Sequence, residues 1–256
     1  MAKFAHIRFD QTDGIARLTL ARPKHNVLSV EMMNEINTVL DALIADDEVK
    51  CLVIDAEGRS FCAGVDVGEH APELAELTIS TFGGIFERLD QLDIPVIAAV
   101  QGACLGGGME LAIACDIVCA GEAAVFGQPE VRLAFIPPYA AVRLPELVGP
   151  AKAIEICTTG RSYSAREACE MGFVGHVYAD DALTQEVESF VSAIAASSPL
   201  IIRMNKRAVR NVLGKPFAEA LAATNDYYLT TLLQTEDMLE GLASFEERRQ
   251  PVWKNA

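Results

Sequence analysis

IPVIAAVQGACLGGGMELAIACDIVCAGEAAVFGQPE, residues Ile94 to Glu130, sets a strand, a glycine turn and a helix in immediate succession. Ile94 to Val100 is a short apolar β-type run, and Gly102 with Gly106-Gly107-Gly108 forms a turn of bare backbone. Met109 to Cys115 then reads as a buried helix whose first amides no side chain crowds. Unpaired N–H groups and partial positive charge at such a helix start suit an oxyanion. Two carboxylates lie close in sequence, Glu110 in the first helical turn and Glu130 after a Gly-Gln-Pro turn. The competing reading of the glycines is a tight strand-to-helix connection with close packing.

Upstream, His6 to Asp10 and Ile15 to Leu20 flank Asp13-Gly14, a strong hairpin signal. Ser29 is placed to cap a helix in which Met33, Ile36, Leu40 and Leu43 recur at helical spacing. Cys51 to Asp55 reads as a buried strand running into a second glycine turn, Ser60 to Asp66, and Leu74 to Gln91 as a helix. This alternation of strand and helix favours an α/β core. Downstream, Val131 to Ala141 with Pro137-Pro138 reads as irregular. Helices are expected at Ala151 to Thr158 and at Ser164 to Met171, the latter opened by a capping box and closed by Gly172. Val174 to Tyr178 is a further strand candidate, and from Asp181 the pattern is helical with breaks at Pro199 and Gly214 to Pro216. The expected division is a core over residues 1–195 and a helical region over 196–256 for oligomer contacts.

At 256 residues with 51% apolar content, the chain can bury a substantial core. No apolar run approaches the roughly 18 residues needed to span a bilayer, and the first ten residues hold no signal core. Seven cysteines without a C-x-x-C pair fit reduced thiols and a cytoplasmic setting. A formal charge of −15 argues against nucleic acid as the main partner. The four histidines are scattered, and neither a metal-spaced cluster nor a serine-nucleophile motif is present, so no metal is expected. The glycine turn lacks the spacing of a dinucleotide fingerprint and the Gly-Lys-Ser/Thr of a P-loop.

Glu110 sits between Met109 and Leu111 in an apolar helix, so burial should raise its pKa toward general-acid values. The burial of Glu130 is less decided by pattern. Asp116 reads as an end-cap or hydrogen-bond acceptor, Cys62 as a buried thiol rather than a nucleophile, and His70 as a surface group that could touch a ligand.

Several ordered motifs together resemble the crotonase family, the enoyl-CoA hydratases and isomerases, over nearly the whole chain. They are Arg22-Pro23-Lys24, Phe61-Cys62-Ala63-Gly64-Val65-Asp66, Gly102 to Glu110, Phe126-Gly127-Gln128-Pro129-Glu130 and Phe245-Glu246-Glu247-Arg248-Arg249. The resemblance implies a spiral of ββα units with a C-terminal helical region, assembled as a homotrimer or dimer of trimers. It implies an acyl-CoA thioester as substrate, with no cofactor beyond the coenzyme A of that thioester. It assigns the oxyanion hole to the amides of Ala63 and Gly107, catalysis to Glu110 and Glu130, and coenzyme A contacts to Lys24, Ala63, Gly64, Val65, Asp66 and Gly107. The two glutamates would hold one water and add it across a double bond. Isomerisation, which needs one glutamate, is the alternative chemistry, and a non-catalytic oligomeric binding protein is the alternative class. Ile136-Pro137-Pro138-Tyr139-Ala140-Ala141 departs from the family's glycine-rich pattern here. Together with Ala63 to His70, it resembles the hydratases of cyclohexa-1,5-diene-1-carbonyl-CoA, with linear enoyl thioesters as the other substrate class.

Overall fold

The computed structural model describes residues 4–256. Strands β1 (Ile7–Thr12) and β2 (Ile15–Leu20) form the expected hairpin, pairing from Ile7 with Leu20 to Thr12 with Ile15. Asp13 and Gly14 turn it with φ of 54° and 81°, the left-handed pair that matches the twist of the strands. Helix α1 (Val30–Ile44) starts where the Ser29 hydroxyl accepts the Met32 amide, and its buried face carries Met33, Ile36, Leu40 and Leu43. Strand β3 (Cys51–Ala56) lies parallel to β2, and helix α2 (Pro72–Gln91) packs against α1.

Next come β4 (Val96–Val100), β5 (Ala103–Leu105), α3 (Gly107–Ala114), β6 (Ile117–Gly121) and β7 (Val125–Gly127). A short 3-10 helix, Pro129–Leu133, leads to α4 (Pro138–Val148) and α5 (Pro150–Thr159). They are followed by β8 (Ser162–Ser164), α6 (Ala165–Met171), β9 (His176–Tyr178) and α7 (Leu183–Ala195). The chain finishes with α8 (Pro199–Arg210), α9 (Phe217–Thr230) and α10 (Glu236–Glu247).

The strands divide between two sheets: a six-stranded one ordered β1-β2-β3-β4-β6-β9, and a three-stranded one ordered β5-β7-β8. Each of β4-β5-α3 and β6-β7-α4 therefore places one strand in the large sheet and the next in the small one before entering its helix. The segment after β3 does the same with a single residue, since Cys62 bridges Cys104 of β5 in parallel before α2 begins. Those successive turns make the spiral expected from the resemblance. Gly102 makes the tight step between β4 and β5: its φ is 57°, and a Cβ there would stand 1.9 Å from the Arg59 carbonyl oxygen.

One core lies between the sheets and α1, α2 and α3. A smaller one joins Val53, Ile97 and Cys119 on the far sheet face to Leu183, Val187 and Val191 of α7. No single helix among the described residues is long and apolar enough to cross a membrane.

Three sequence expectations change. Ala103 to Leu105 is a strand rather than part of the turn, because it pairs with Val125 to Gly127 of β7. Val131 to Ala141 is largely helical: the 3-10 turn ends at Leu133, and α4 begins with Pro138 as its first residue. Proline suits that position because its missing N–H would have no helical partner anyway. The helical tail also breaks once more, at Thr231 to Thr235, where the Thr235 hydroxyl caps α10 by accepting the Met238 amide.

Candidate active site

Three parallel segments end side by side in the small sheet: Cys62, then β5, then β7. Their continuations gather at one edge, where the parallel arrangement leaves backbone amides and helix starts facing the same space. After Cys62 come Ala63 to Asp66, after β5 the glycines and α3 with Glu110, and after β7 Gln128 and Glu130. The Gly106 amide bonds the Gly127 carbonyl at 2.9 Å, which locks the second and third of these together.

The glycines are required by close approach. A Cβ on Gly108 would stand 2.2 Å from the Cys62 carbonyl oxygen, and one on Gly106 2.7 Å from Glu130 Oε1. On Gly107 it would meet Val65 Cγ2 at 2.7 Å, Phe82 Cζ at 3.1 Å and the Val65 nitrogen at 3.4 Å. Bare backbone here lets two amides, of Val65 and Gly107, come together beside both carboxylates.

The predicted oxyanion pair needs one correction. The Ala63 amide is already spent, donating to the His25 carbonyl at 3.0 Å, so it has no hydrogen to offer a ligand. The amides of Leu28 and Asp66 are likewise used, on Gly64 and Leu28, which pins the strand-like stretch on either side of Val65. Among the described residues neither the Val65 nor the Gly107 amide has a hydrogen-bond acceptor. The structure thus offers Val65 with Gly107, where the sequence reading had Ala63 with Gly107.

Glu110 is 2% exposed. Its Oε1 accepts the amides of Tyr139 and Ala140, each at 2.8 Å, so the second and third residues of α4 hold it at that helix's N-terminus. Burial pushes its pKa up to about 7, with the two amides opposing and the neighbouring Glu130 charge adding to the rise. Glu130, half-buried in the 3-10 turn, is pushed up by burial to about 6. With its side-chain nitrogen turned toward Glu130, the fully buried Gln128 donates to both carboxylate oxygens, at 2.9 and 3.0 Å. Both carboxyl groups are thus raised toward neutrality, chiefly by burial, and the Glu130 charge adds to the rise at Glu110.

Pro138 subtracts nothing from this arrangement. The amides that hold Glu110 are those of the next two residues, and the proline sets the helix start that aims them.

The other predicted residues surround this centre. Lys24 is exposed on the loop that carries His25. The Asp66 carboxylate caps the turn after it, accepting the Gly68 amide at 3.1 Å, and pairs with Arg22 at 3.3 Å. His70 turns Nδ1 toward the Asp66 carbonyl at 2.9 Å and lays its ring against Phe135, centroids 4.8 Å apart. Burial pushes the Cys62 thiol up to about 12, which removes it as a nucleophile. Asp116 is an acceptor, taking the Val96 amide at 2.8 Å and Lys206 at 2.6 Å.

Sequence reasoning missed Gln128 and Phe82 as parts of the site. Gln128 carried a signal, a lone amide between Gly127 and Pro129 in a motif already singled out. Phe82 looked like any core position of an amphipathic helix.

Comparison with known proteins places the fold and the family. The enoyl-CoA hydratase/isomerase family model matches residues 10–256. The Bacillus subtilis protein YngF is 39% identical over 251 residues, covering 95% of this chain and 96% of its own. The cyclohexa-1,5-dienecarbonyl-CoA hydratase of Thauera aromatica is 32% identical over 246 residues, covering 96% of this chain and 95% of its own. Among solved structures, an enoyl-CoA hydratase from Bacillus anthracis superposes with a TM-score of 0.92 at 33% identity, over 98% of this chain and 100% of that one.

Proposed function

The chain belongs to the enoyl-CoA hydratase/isomerase family, and from that premise we propose that it adds water across the double bond of an α,β-unsaturated acyl-CoA. The observation that carries this reading is the paired Glu110 and Glu130, both raised toward neutral pH, beside two amides without acceptors. The thioester oxygen would sit on the amides of Val65 and Gly107, which stabilise the enolate-like charge that develops there. One glutamate takes a proton from water as its oxygen attacks the β-carbon, and a carboxylic acid of the pair returns a proton to the α-carbon. With values of about 7 and about 6, one of the two is protonated and the other ionised between those pH values, which is what that exchange requires. Gln128 orients Glu130, and the start of α4 orients Glu110.

The coenzyme A moiety is proposed to run past Ala63, Gly64, Val65 and Asp66, with Lys24 supplying positive charge to its phosphates. The helical region from residue 196 onward is proposed to make the contacts of a homotrimer or a dimer of trimers. For the acyl group, the narrower proposal is the cyclic cyclohexa-1,5-diene-1-carbonyl thioester. It is supported by the name of the Thauera aromatica relative and by the flat Tyr139 ring stacked on Phe86. Short linear enoyl groups are the alternative, since Pro138 removes no donor that the glutamates use.

Glu110→Gln and Glu130→Gln test the reaction. Each should lower turnover by roughly a hundred- to ten-thousand-fold with thioester binding largely kept. Hydration at wild-type rate in both variants refutes the two-glutamate mechanism. Oxygen-18 from solvent should enter the product, whereas an isomerase incorporates none. Crotonyl-CoA and the cyclic dienoyl-CoA assayed side by side decide the acyl group.

A further inference from the structure

The small sheet sets Cys62, β5 and β7 side by side with β5 in the middle. Among the described residues no strand pairing joins the two outer segments, yet the site draws on both. The Val65 amide lies on the continuation of the first, and Glu130 on the continuation of the third. Gly106, from the middle segment, stands between them: a Cβ there would be 2.7 Å from Glu130 Oε1 and 3.8 Å from the Gly64 Cα. The spacing of Val65 and Glu130 therefore rests on what holds the two continuations together beyond the sheet.

Each continuation ends in a 3-10 turn. After Val65 the turn is Val67–His70. Its Glu69 carboxylate accepts the Val30 amide of α1 at 2.7 Å, and the Glu69 carbonyl accepts the Thr78 hydroxyl of α2 at 2.8 Å. His70 closes the turn by donating from Nδ1 to the Asp66 carbonyl at 2.9 Å. After β7 the turn is Pro129–Leu133, and Ala134 bends the chain back with φ of 60°. The Phe135 amide then donates to the carbonyl of Glu130 itself at 3.0 Å. The two turns meet where the His70 ring lies against Phe135, centroids 4.8 Å apart and planes 35° from parallel. Phe135 is 37% exposed while Ile136 beside it is 78%, so the phenyl ring is the one that has found cover.

On the premise that the site hydrates an enoyl-CoA, we propose that His70 and Phe135 are positioning residues whose ring contact fixes Glu130 relative to the Val65 amide. Gln128 holds the carboxylate end of Glu130 and Phe135 its backbone, so a shift at Phe135 passes to the acid/base group through one hydrogen bond. Neither ring needs to touch the reacting atoms. Rate depends steeply on such placement, since a misplacement of about 1 Å can cost a hundredfold. His70 acts through the face of its ring and not through its charge.

The test is steady-state hydration of crotonyl-CoA and of the cyclic dienoyl-CoA by the wild type, His70→Ala, Phe135→Ala and His70→Phe. On whichever thioester the wild type hydrates, each alanine variant should lose about tenfold in kcat with KM within about threefold, since the amides that bind the thioester are untouched. The double alanine variant should be no more than about twofold slower than either single one, the sign of one shared contact. His70→Phe gives up the Asp66 bond but keeps an aromatic face, and should stay within about twofold of wild type. In a Glu130→Gln background, Phe135→Ala should slow the residual rate by less than about twofold, because the group it positions is gone. Wild-type kcat in a folded alanine variant, additive losses in the double variant, or a full further loss in the Glu130→Gln background overturns the proposal. So does His70→Phe if it is as slow as His70→Ala. Should Phe135→Ala fail to fold, His70→Ala reads the same contact from the other turn. A wild type that hydrates neither thioester overturns the hydratase reading and this proposal with it, whereas an active wild type with unaffected variants overturns the proposal alone.

Discussion

Glu110 is where burial, hydrogen bonding and a like charge act on one group, and the balance gives it a measurable signature. Its carboxyl titrates at about 7 in the fold against an ordinary value of 4.5, so the folded state holds its proton more tightly than the unfolded chain does. The sign is set by that difference: stability from this group is full below about 4.5, declines as pH rises through the window between, and is gone above about 7. A shift of that size corresponds to on the order of 3 kcal/mol. Glu110→Gln carries no charge to bury and still offers an oxygen to the two α4 amides. Its melting temperature relative to wild type should therefore be clearly higher at pH 8 than at pH 5, and an equal difference at both would contradict the assignment. The pair also predicts a bell-shaped rate profile with apparent limbs near 6 and 7, lost in acid when both carboxyls are protonated and in base when both are ionised. The burial of Glu110 was legible from its apolar neighbours, whereas that of Glu130, in the turn after Gly127-Gln128-Pro129, was not decided by pattern. The oxyanion amide was not legible either. Whether Ala63 or Val65 keeps its hydrogen free depends on His25, a distant loop residue whose carbonyl claims the Ala63 amide. Nothing local to the glycine turn reports that contact.

Helix α4 shows why a whole element escaped the sequence reading. Two consecutive prolines mark a break by every local rule, and Val131 to Ala141 holds no helical apolar stripe before them. The break is real, but it is also the start of a helix, with Pro138 in the one turn that tolerates it. The next two amides are then left to find an acceptor outside the helix, and the buried Glu110 carboxylate is that acceptor. Pro138→Gly should loosen this start without removing either donor. The expected cost is about 1 kcal/mol of stability, through the freer unfolded chain. Because the amides favour the ionised carboxylate, their fraying should also move the rate limb belonging to the pair upward in pH. A variant that loses stability yet leaves the pH profile untouched would mean that α4 supports the fold alone. Helices opened by ordinary signals were read correctly: Ser29 before α1 and the Ser164–Glu167 capping box before α6 both cap as expected.

At the scale of the whole molecule, the spiral was illegible because its turns are unequal. The large-sheet strands beginning at Cys51, Val96 and Ile117 are followed by helices of different lengths, so no fixed period marks the repeat. The tail after α7 was legible as helical, and the structure shows both how it attaches and what it leaves uncovered. Lys206 of α8, nearly buried, bonds Asp116 at 2.6 Å and the Ile94 carbonyl at 2.7 Å, while Arg207 and Arg210 pair with Asp93 and Asp90. Beyond that anchor, α9 buries no residue against its own chain. Phe217 is 81% exposed and Phe245 83%, with Leu229 and Leu242 also open to solvent. Large apolar side chains gathered on consecutive helices are costly in water at about 25 cal/mol for each Å² left uncovered, and such surfaces belong to interfaces. The proposed trimer supplies the cover. Sedimentation should find the wild type as a trimer or hexamer, and Phe217→Asp combined with Phe245→Asp should shift it to smaller species. Any loss of activity in the dissociated variant measures how much the assembly contributes to the site. A wild type that sediments as a monomer rejects the oligomer, and it would leave these four side chains without an account.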